Sequence, residues 1–261
     1  MPDVVEKYLE HLTSVRGWLH PDSAHIISDL SDIQRECGVS GAVGEVGVKW
    51  GRLFILLHLK AAPGERSLAI DTFDDRVARE FHRNTERWTG GTDFTLFRRS
   101  SLDVHPRDVL NAVGRCRLLS IDGGHEEETV LNDLELADAV IEDGGVVIVD
   151  DFFNPKWPGV AGATARYLLQ HEAGGLRPFA TSPGKVYLAG PEHRDAYRSQ
   201  LELRHPRTYQ HTQPMFGTDV AVFGGRAPRG SMGAGLRMMV RASPLGPQAR
   251  RARRLLRNAR R

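Results

Sequence analysis

The sequence predicts an α/β fold: a seven-stranded, mostly parallel sheet with helices on both faces. Three observations carry that expectation. Apolar runs suited to strands alternate with helix-compatible stretches. The runs are continuous rather than alternating apolar and polar, which marks strands covered on both faces. Polar and acidic residues gather just after the runs, where open parallel sheets bind their ligands.

Residues 2–37 read as a helical preface, because Val4, Val5, Tyr8 and Leu9, then Ile26, Ile27, Leu30 and Ile33, recur at helical spacing. Strand candidates follow at Ala42–Val46, Ser67–Ile70, Phe94–Phe97, Cys116–Ile121 and Val146–Val149, with two late ones at Lys185–Leu188 and Asp219–Phe223. Helices are expected over Arg52–Leu59, Asp74–Trp88, Thr129–Glu142 and Val160–His171. Residues 225–248, rich in Gly, Pro, Ser and Arg, read as a linker.

Composition bounds the functional class. A chain of 261 residues with 40% hydrophobic content fits one large α/β domain with embellishments. No apolar run reaches the roughly 18 residues of a membrane span. The N-terminal MPDVVEKYLEHL lacks the basic start and apolar stretch of a secretory signal. Cys37 and Cys116 are isolated and form no metal or redox spacing, so a reducing cytoplasm is the expected compartment. The net charge is only +2, yet residues 247–261 hold seven arginines and no acid, which leaves the body at about −5. That tail reads as solvated. Its short Ala and Leu stripe is too weak for stable membrane insertion; nucleic-acid binding is disfavoured, and contacts in a homo-oligomer stay open.

Chemistry concentrates at the strand ends. Glu45-Val46-Gly47-Val48-Lys49-Trp50-Gly51 closes one strand and opens a helix. Gly47 permits a sharp bend and Gly51 close helix packing. The turn is not GxGxxG, which disfavours a nicotinamide oxidoreductase, and no Lys-Ser/Thr pair follows for a phosphate cradle. Asp71 ends the second strand, where a carboxylate accepts both hydroxyl protons of a ribose or else caps a helix. Asp122, Asp150 and Asp151 end two strands that would lie side by side. Three converging carboxylates repel one another unless a cation compensates, and a hard divalent ion does so with oxygen ligands. The plainer alternative makes Asp122 and Asp151 helix caps. His125 follows Asp122 by three residues and is placed to move a proton.

The turn Glu45 to Gly51 resembles the E-x-G-x-x-x-G turn of class I S-adenosylmethionine methyltransferases, which have a Rossmann-like fold. The segment IDGGHEEETVLNDLELADAVIEDGGVVIVDDF is similar to metal-dependent O-methyltransferases of both the catechol type and the macrolide-sugar type. The 28-residue interval from Asp122 to Asp150 matches the catechol type, and the Asp150-Asp151 pair matches the sugar branch. The resemblance covers roughly residues 40–225. It implies a helical cap (1–38), a methyltransferase domain (39–225) and a linker with an Arg-rich tail (226–261). It implies that Glu45, Gly47 and Gly51 line the cofactor's amino-acid end, Asp71 the ribose, and Ser100 and Ser101 the adenine. It implies Mg²⁺ or Mn²⁺ on Asp122, Asp150 and Asp151, with Asp122 and His125 in the catalytic centre. His125 is expected as the general base, and a fourth metal ligand is the alternative.

The expected activity is methyl transfer to a hydroxyl of a sugar or glycan, a mannose-type polysaccharide or glycosylated natural product. A phenol or catechol acceptor is the alternative. A nucleic-acid-binding protein using the basic tail is the reading outside enzymology. Trp50, Trp88, Phe152, Phe153 and Trp157, with Asn154 and Lys156, are candidate acceptor contacts, and so is the ring-rich stretch His205, Tyr209, His211 and Gln213.

Overall fold

The computed structural model describes residues 3–225 apart from 92 and 173. The linker and Arg-rich tail expected over 226–261 lie outside the described residues.

The chain opens with two helices. α1 (Val4–Glu10) starts after Asp3, whose carboxylate accepts the Val5 N–H. α2 (Pro21–Glu36) starts on Pro21, whose fixed φ suits a first helical position. Ala24, Ile26, Ile27, Leu30 and Ile33 form its apolar stripe and are at most 1% exposed. They share one core with Val43 and Leu118 of the sheet, so the preface packs directly on the strands. Each such Leu or Ile contributes about 1.5–3 kcal/mol by leaving water.

A buried cation fixes how α2 sits. Arg117 is fully buried, a position tolerated only when every donor is matched. Its Nη1 donates to Ser31 Oγ (2.9 Å) and Gln34 Oε1 (3.1 Å) on α2. Its Nε and Nη2 each donate to Glu65, both at 2.8 Å.

The sheet alternates with helices as the apolar pattern predicts. In order come β1 (Ala42–Val46), α3 (Arg52–Leu59), β2 (Ser67–Ile70), α4 (Asp75–Thr89), β3 (Thr95–Phe97), α5 (Pro106–Val113), β4 (Cys116–Ile121), α6 (Glu127–Val140), β5 (Ile141–Asp150), α7 (Pro158–Gln170), β6 (Arg177–Ser182), β7 (Lys185–Ala189), α8 (Arg194–Arg204), β8 (Tyr209–Met215) and β9 (Thr218–Phe223). The spatial order is β3-β2-β1-β4-β5-β7-β6-β9-β8. The first five strands are parallel, and β7 runs antiparallel between β5 and β6.

Among the described residues the sheet therefore has nine strands rather than the expected seven. The two extra strands lack the apolar signature. β6 reads RPFATS, yet it is wholly buried, because Arg177 donates to the Leu168 and His171 carbonyls. β8 reads YQHTQPM and, among the described residues, pairs only with β9, an edge position that tolerates its polar residues and Pro214. β5 also begins earlier than expected, at Ile141, directly after α6.

The order in which strands are added reverses between β1 and β4, and parallel register aligns the strand ends there. Val46 pairs with both Ile70 and Ile121, and Ile121 pairs with Val149. The residues that follow these partners are Gly47, Asp71, Asp122 and Asp150. They stand in one row at the carboxyl edge, the place where such sheets bind ligands. Among the described residues no helix is long and apolar enough to cross a membrane.

Candidate active site

A cleft of about 1230 Å³ opens at this edge. Every residue assigned to the site from sequence lines it except Gly51, which stands at its back as the cap of α3.

The β1 turn forms its first wall. Gly47 has φ +86°, and a Cβ there would lie 1.9 Å from the Asp122 carbonyl oxygen. Only glycine lets the loops after β1 and β4 meet this closely. Gly51 has φ +88°, with Phe81 against its α-carbon, so it too tolerates no side chain. Glu45 is 3% exposed, and its Oε2 is buried with no hydrogen-bond partner. Burial pushes its carboxyl up to about 8, opposed by Lys185 and helped by Asp150 and Asp71.

Asp71 is not a helix cap. Asp74 takes that role, accepting from Arg76 and Val77. Asp71 accepts the Lys49 and Phe73 N–H groups, both at 2.8 Å, and so ties the turns after β1 and β2 together. Ser100 caps a short 3-10 turn by accepting the Leu102 N–H. Ser101 is buried beside Asp133. Burial pushes the Asp133 carboxyl up to about 6.

The acidic residues divide into two groups. Asp122, His125 and Asp151 offer ligand atoms that all lie within 4.8 Å of one another. His125 Nε2 is 3.1 Å from Asp151 Oδ2 and 3.9 Å from Asp122 Oδ1. Asp150 instead pairs with Lys185 Nζ at 2.9 Å. The sequence-expected ligand set was Asp122, Asp150 and Asp151; the donors brought together are Asp122, Asp151 and His125, with Asp150 against a buried ammonium. The cause is the antiparallel register of β7, which sets Lys185 opposite Asp150. Burial alone would lower the Lys185 ammonium, but Asp150 and Asp122 outweigh it and raise it. The Asp122 side chain is 28% open, yet it sits deep on the cleft floor. Burial there, with the Asp150 carboxylate beside it, holds its carboxyl above the usual range.

Asp151 adopts φ +58°, a left-handed conformation uncommon outside glycine. Its N–H donates to the Gly184 carbonyl and its Oδ1 accepts from Asn154 Nδ2 at 2.9 Å. The His125 ring stacks on Trp157, with centroids 4.4 Å apart and planes 26° apart. Gly159, at the start of α7, lets that helix approach the His125 carbonyl, where a Cβ would come within 2.6 Å. The imidazole is thus held by an indole on its face and a carboxylate at its edge.

The geometry can hold a cofactor and a metal. An unpartnered buried carboxyl oxygen and a glycine cradle face the cleft from β1, and two carboxylates with an imidazole form a mixed O/N donor set. Residues 45–152 match the family model described as a methyltransferase domain. Over that span the chain is similar to methyltransferase domains. The match starts on Glu45 and ends just past Asp151, so it spans the whole strand-end row.

Solved methyltransferases share the fold. The O-methyltransferase NovP is 18% identical at a TM-score of 0.53, covering 64% of this chain and 79% of its own. CalS11, a TDP-rhamnose 3'-O-methyltransferase of calicheamicin biosynthesis, is 20% identical at 0.50, covering 71% and 92%. MycE, a methyltransferase of the mycinamycin pathway, is 16% identical at 0.50, covering 72% of this chain and 54% of its own. No curated protein matches the sequence.

Several aromatic residues expected at the acceptor side of the cleft are elsewhere. Trp50 and Trp157 line the cleft, with Asn154 and Lys156. Trp88 packs edge-on against Tyr8, and Phe152 packs into the core. Phe153 is exposed outside the cleft. His205 pairs with Asp29 at 2.9 Å, and Tyr209, His211 and Gln213 lie on β8, away from the cleft. Two residues escaped the sequence reading. Lys185 has no local signal, because its partner is 35 positions away. Trp18 lies between the first two helices, far in sequence from the strand ends, and lines the cleft through tertiary packing.

Proposed function

We propose that the protein is a divalent-metal-dependent O-methyltransferase that acts on a hydroxyl of a sugar or glycan. The observation that carries the proposal is the cluster of Asp122, His125 and Asp151 within 4.8 Å at the carboxyl edge of a methyltransferase sheet. Two carboxylates suit Mg²⁺ or Mn²⁺, and the imidazole beside them is placed to take a proton. MycE, of the same fold, was solved with Mg, S-adenosylhomocysteine and mycinamycin VI, and CalS11 acts on TDP-rhamnose.

Glu45, Gly47 and Gly51 receive the amino-acid end of the cofactor, Asp71 the ribose, and Ser100 and Ser101 the adenine. Asp122 and Asp151 would hold the metal, with Asp150 beside them. A divalent ion bound there lowers the pKa of the acceptor hydroxyl and offsets charge developing on its oxygen. Lys185 neutralises Asp150, which limits repulsion among the carboxylates. His125, fixed by Trp157 and Asp151, accepts the hydroxyl proton on its imidazole. The acceptor oxygen attacks the sulfonium methyl in line; the new O–C bond forms as the C–S bond breaks, and S-adenosylhomocysteine leaves. The sulfonium loses its charge in the reaction, so the rate rests on positioning and on stabilising the oxygen. A phenol is the second reading, favoured by the indoles of Trp50 and Trp157 on the cleft walls.

The test is transfer of a labelled methyl group to a panel of sugars and phenols. Activity is expected to vanish in EDTA, return with Mg²⁺, and favour sugars. His125→Ala should lower kcat by about 10²–10⁴-fold without weakening the metal. A fall in metal affinity would make His125 a ligand, and full activity in EDTA would reject the metal.

A further inference from the structure

Acids cluster at the strand ends of the cleft, and cations gather with indoles at one side of its mouth. Glu45, Asp71, Asp122, Asp150 and Asp151 line the strand-end side with the Lys185 ammonium among them, while Arg52, Arg99 and Lys156 line other parts of the cleft. The rim on the N-terminal side is cationic and aromatic. The Arg16 guanidinium lies 4.2 Å from the Trp50 ring centroid. Lys49 Nζ lies 4.7 Å from the same ring and 4.6 Å from that of Trp18. The two indoles are 5.8 Å apart.

Two features of this rim are unexplained by the fold. Trp18 is 76% exposed, the most open large hydrophobic side chain among the described residues. An indole so placed carries a large apolar face that gains by being covered. Lys49 makes no ion pair among the described residues, although its backbone is pinned by the Asp71 carboxylate. Among the described residues Arg16 makes an ion pair with Glu80 alone, at 3.7 Å, and its side chain stays 58% exposed. Indole faces hold both cations at the mouth, ready for an anion that the acidic floor would repel.

We propose that Arg16, Trp18, Lys49 and Trp50 form a subsite for a phosphate-bearing acceptor, with the phosphate on Lys49 and Arg16 and a planar ring stacked on Trp18. The proposal rests on the reading of the cleft as a site of methyl transfer to sugars, and narrows the acceptor to a nucleotide-activated sugar. The base lies on Trp18 and the diphosphate at the cationic rim. The sugar extends inward, with a hydroxyl at His125.

Calorimetry on the full chain tests this with three probes, uridine diphosphate, uridine and inorganic pyrophosphate, each in the presence of S-adenosylhomocysteine. Uridine diphosphate is expected to bind tighter than either fragment, and more weakly as salt rises. Lys49→Gln and Trp18→Ala should each weaken it by about tenfold, a loss of about 1.4 kcal/mol, with Trp18→Phe in between. Affinity for S-adenosylhomocysteine should stay within about twofold in all three variants. Two results overturn the proposal: S-adenosylhomocysteine binding without any uridine diphosphate binding, or Lys49→Gln weakening S-adenosylhomocysteine alone, which would assign the rim to the cofactor's carboxylate. Failure of S-adenosylhomocysteine itself to bind would instead sink the methyl-transfer reading.

Discussion

Asp150 and Lys185 face each other across the β5–β7 ladder and form an ion pair of 2.9 Å beneath the cleft. The lysine side chain is 2% exposed and the aspartate 12%, so neither charge has water as a substitute partner. The pair removes one carboxylate from the repulsion on the cleft floor. It leaves Asp122 and Asp151 as the acids grouped with His125.

Lys185→Met should therefore destabilise the protein by about 3–5 kcal/mol, because it strands a buried carboxylate. Adding Asp150→Asn should recover much of that loss. A double-mutant cycle by urea unfolding reads the coupling; additive losses would show that the pair contributes nothing beyond packing.

Gly47 and Gly64 provide a matched pair of glycine substitutions. Both have positive φ, +86° and +90°, but a Cβ at Gly47 meets the Asp122 carbonyl while one at Gly64 meets nothing within 4 Å. Gly64→Ala should cost about 1–2 kcal/mol from backbone strain alone. Gly47→Ala should cost more and abolish S-adenosylhomocysteine binding, since it forces the β1 and β4 loops apart. Equal effects in thermal unfolding and calorimetry would disprove the close-approach argument.

Glu45 makes stability depend on pH in the cofactor-free protein. Folding raises its carboxyl from 4.5 to about 8. The native protein keeps a proton that the unfolded chain releases, so this contribution is full below pH 4.5 and is lost as pH rises to about 8. The decline is at most roughly 1.4 kcal/mol per pH unit. Glu45→Gln should flatten it, visible as a smaller fall in the urea midpoint between acid and alkaline buffers. An unchanged slope would locate the titration elsewhere.

Trp157 acts through His125. Removing the indole leaves the imidazole held only at its edge, so Trp157→Ala should lower kcat by about tenfold with smaller change in acceptor KM. Trp157→Phe should restore most of the rate. A pure KM effect in Trp157→Ala would mean that the ring serves the acceptor instead.

Much of this architecture was legible in the chain, because continuous apolar runs and strand-end acids are local patterns. β1, β2 and β4 have the bounds their apolar residues predict, and the row Gly47, Asp71, Asp122, Asp150 follows from parallel register. β6 and β8 were not legible. Arg177 is buried only because two carbonyls from other segments receive it, and β8 is polar because it borders the sheet. Sequence by itself determined the fold class, the glycine turn and the positions of the acids, each a matter of residue type and short spacing. Tertiary structure alone decided which carboxylates share a centre and what stands at its mouth. Pairing a buried charge depends on an antiparallel neighbour, as for Asp150 with Lys185, and Trp18 reaches the cleft from a segment between α1 and α2 where Arg52 Nε of α3 holds the Val15 carbonyl.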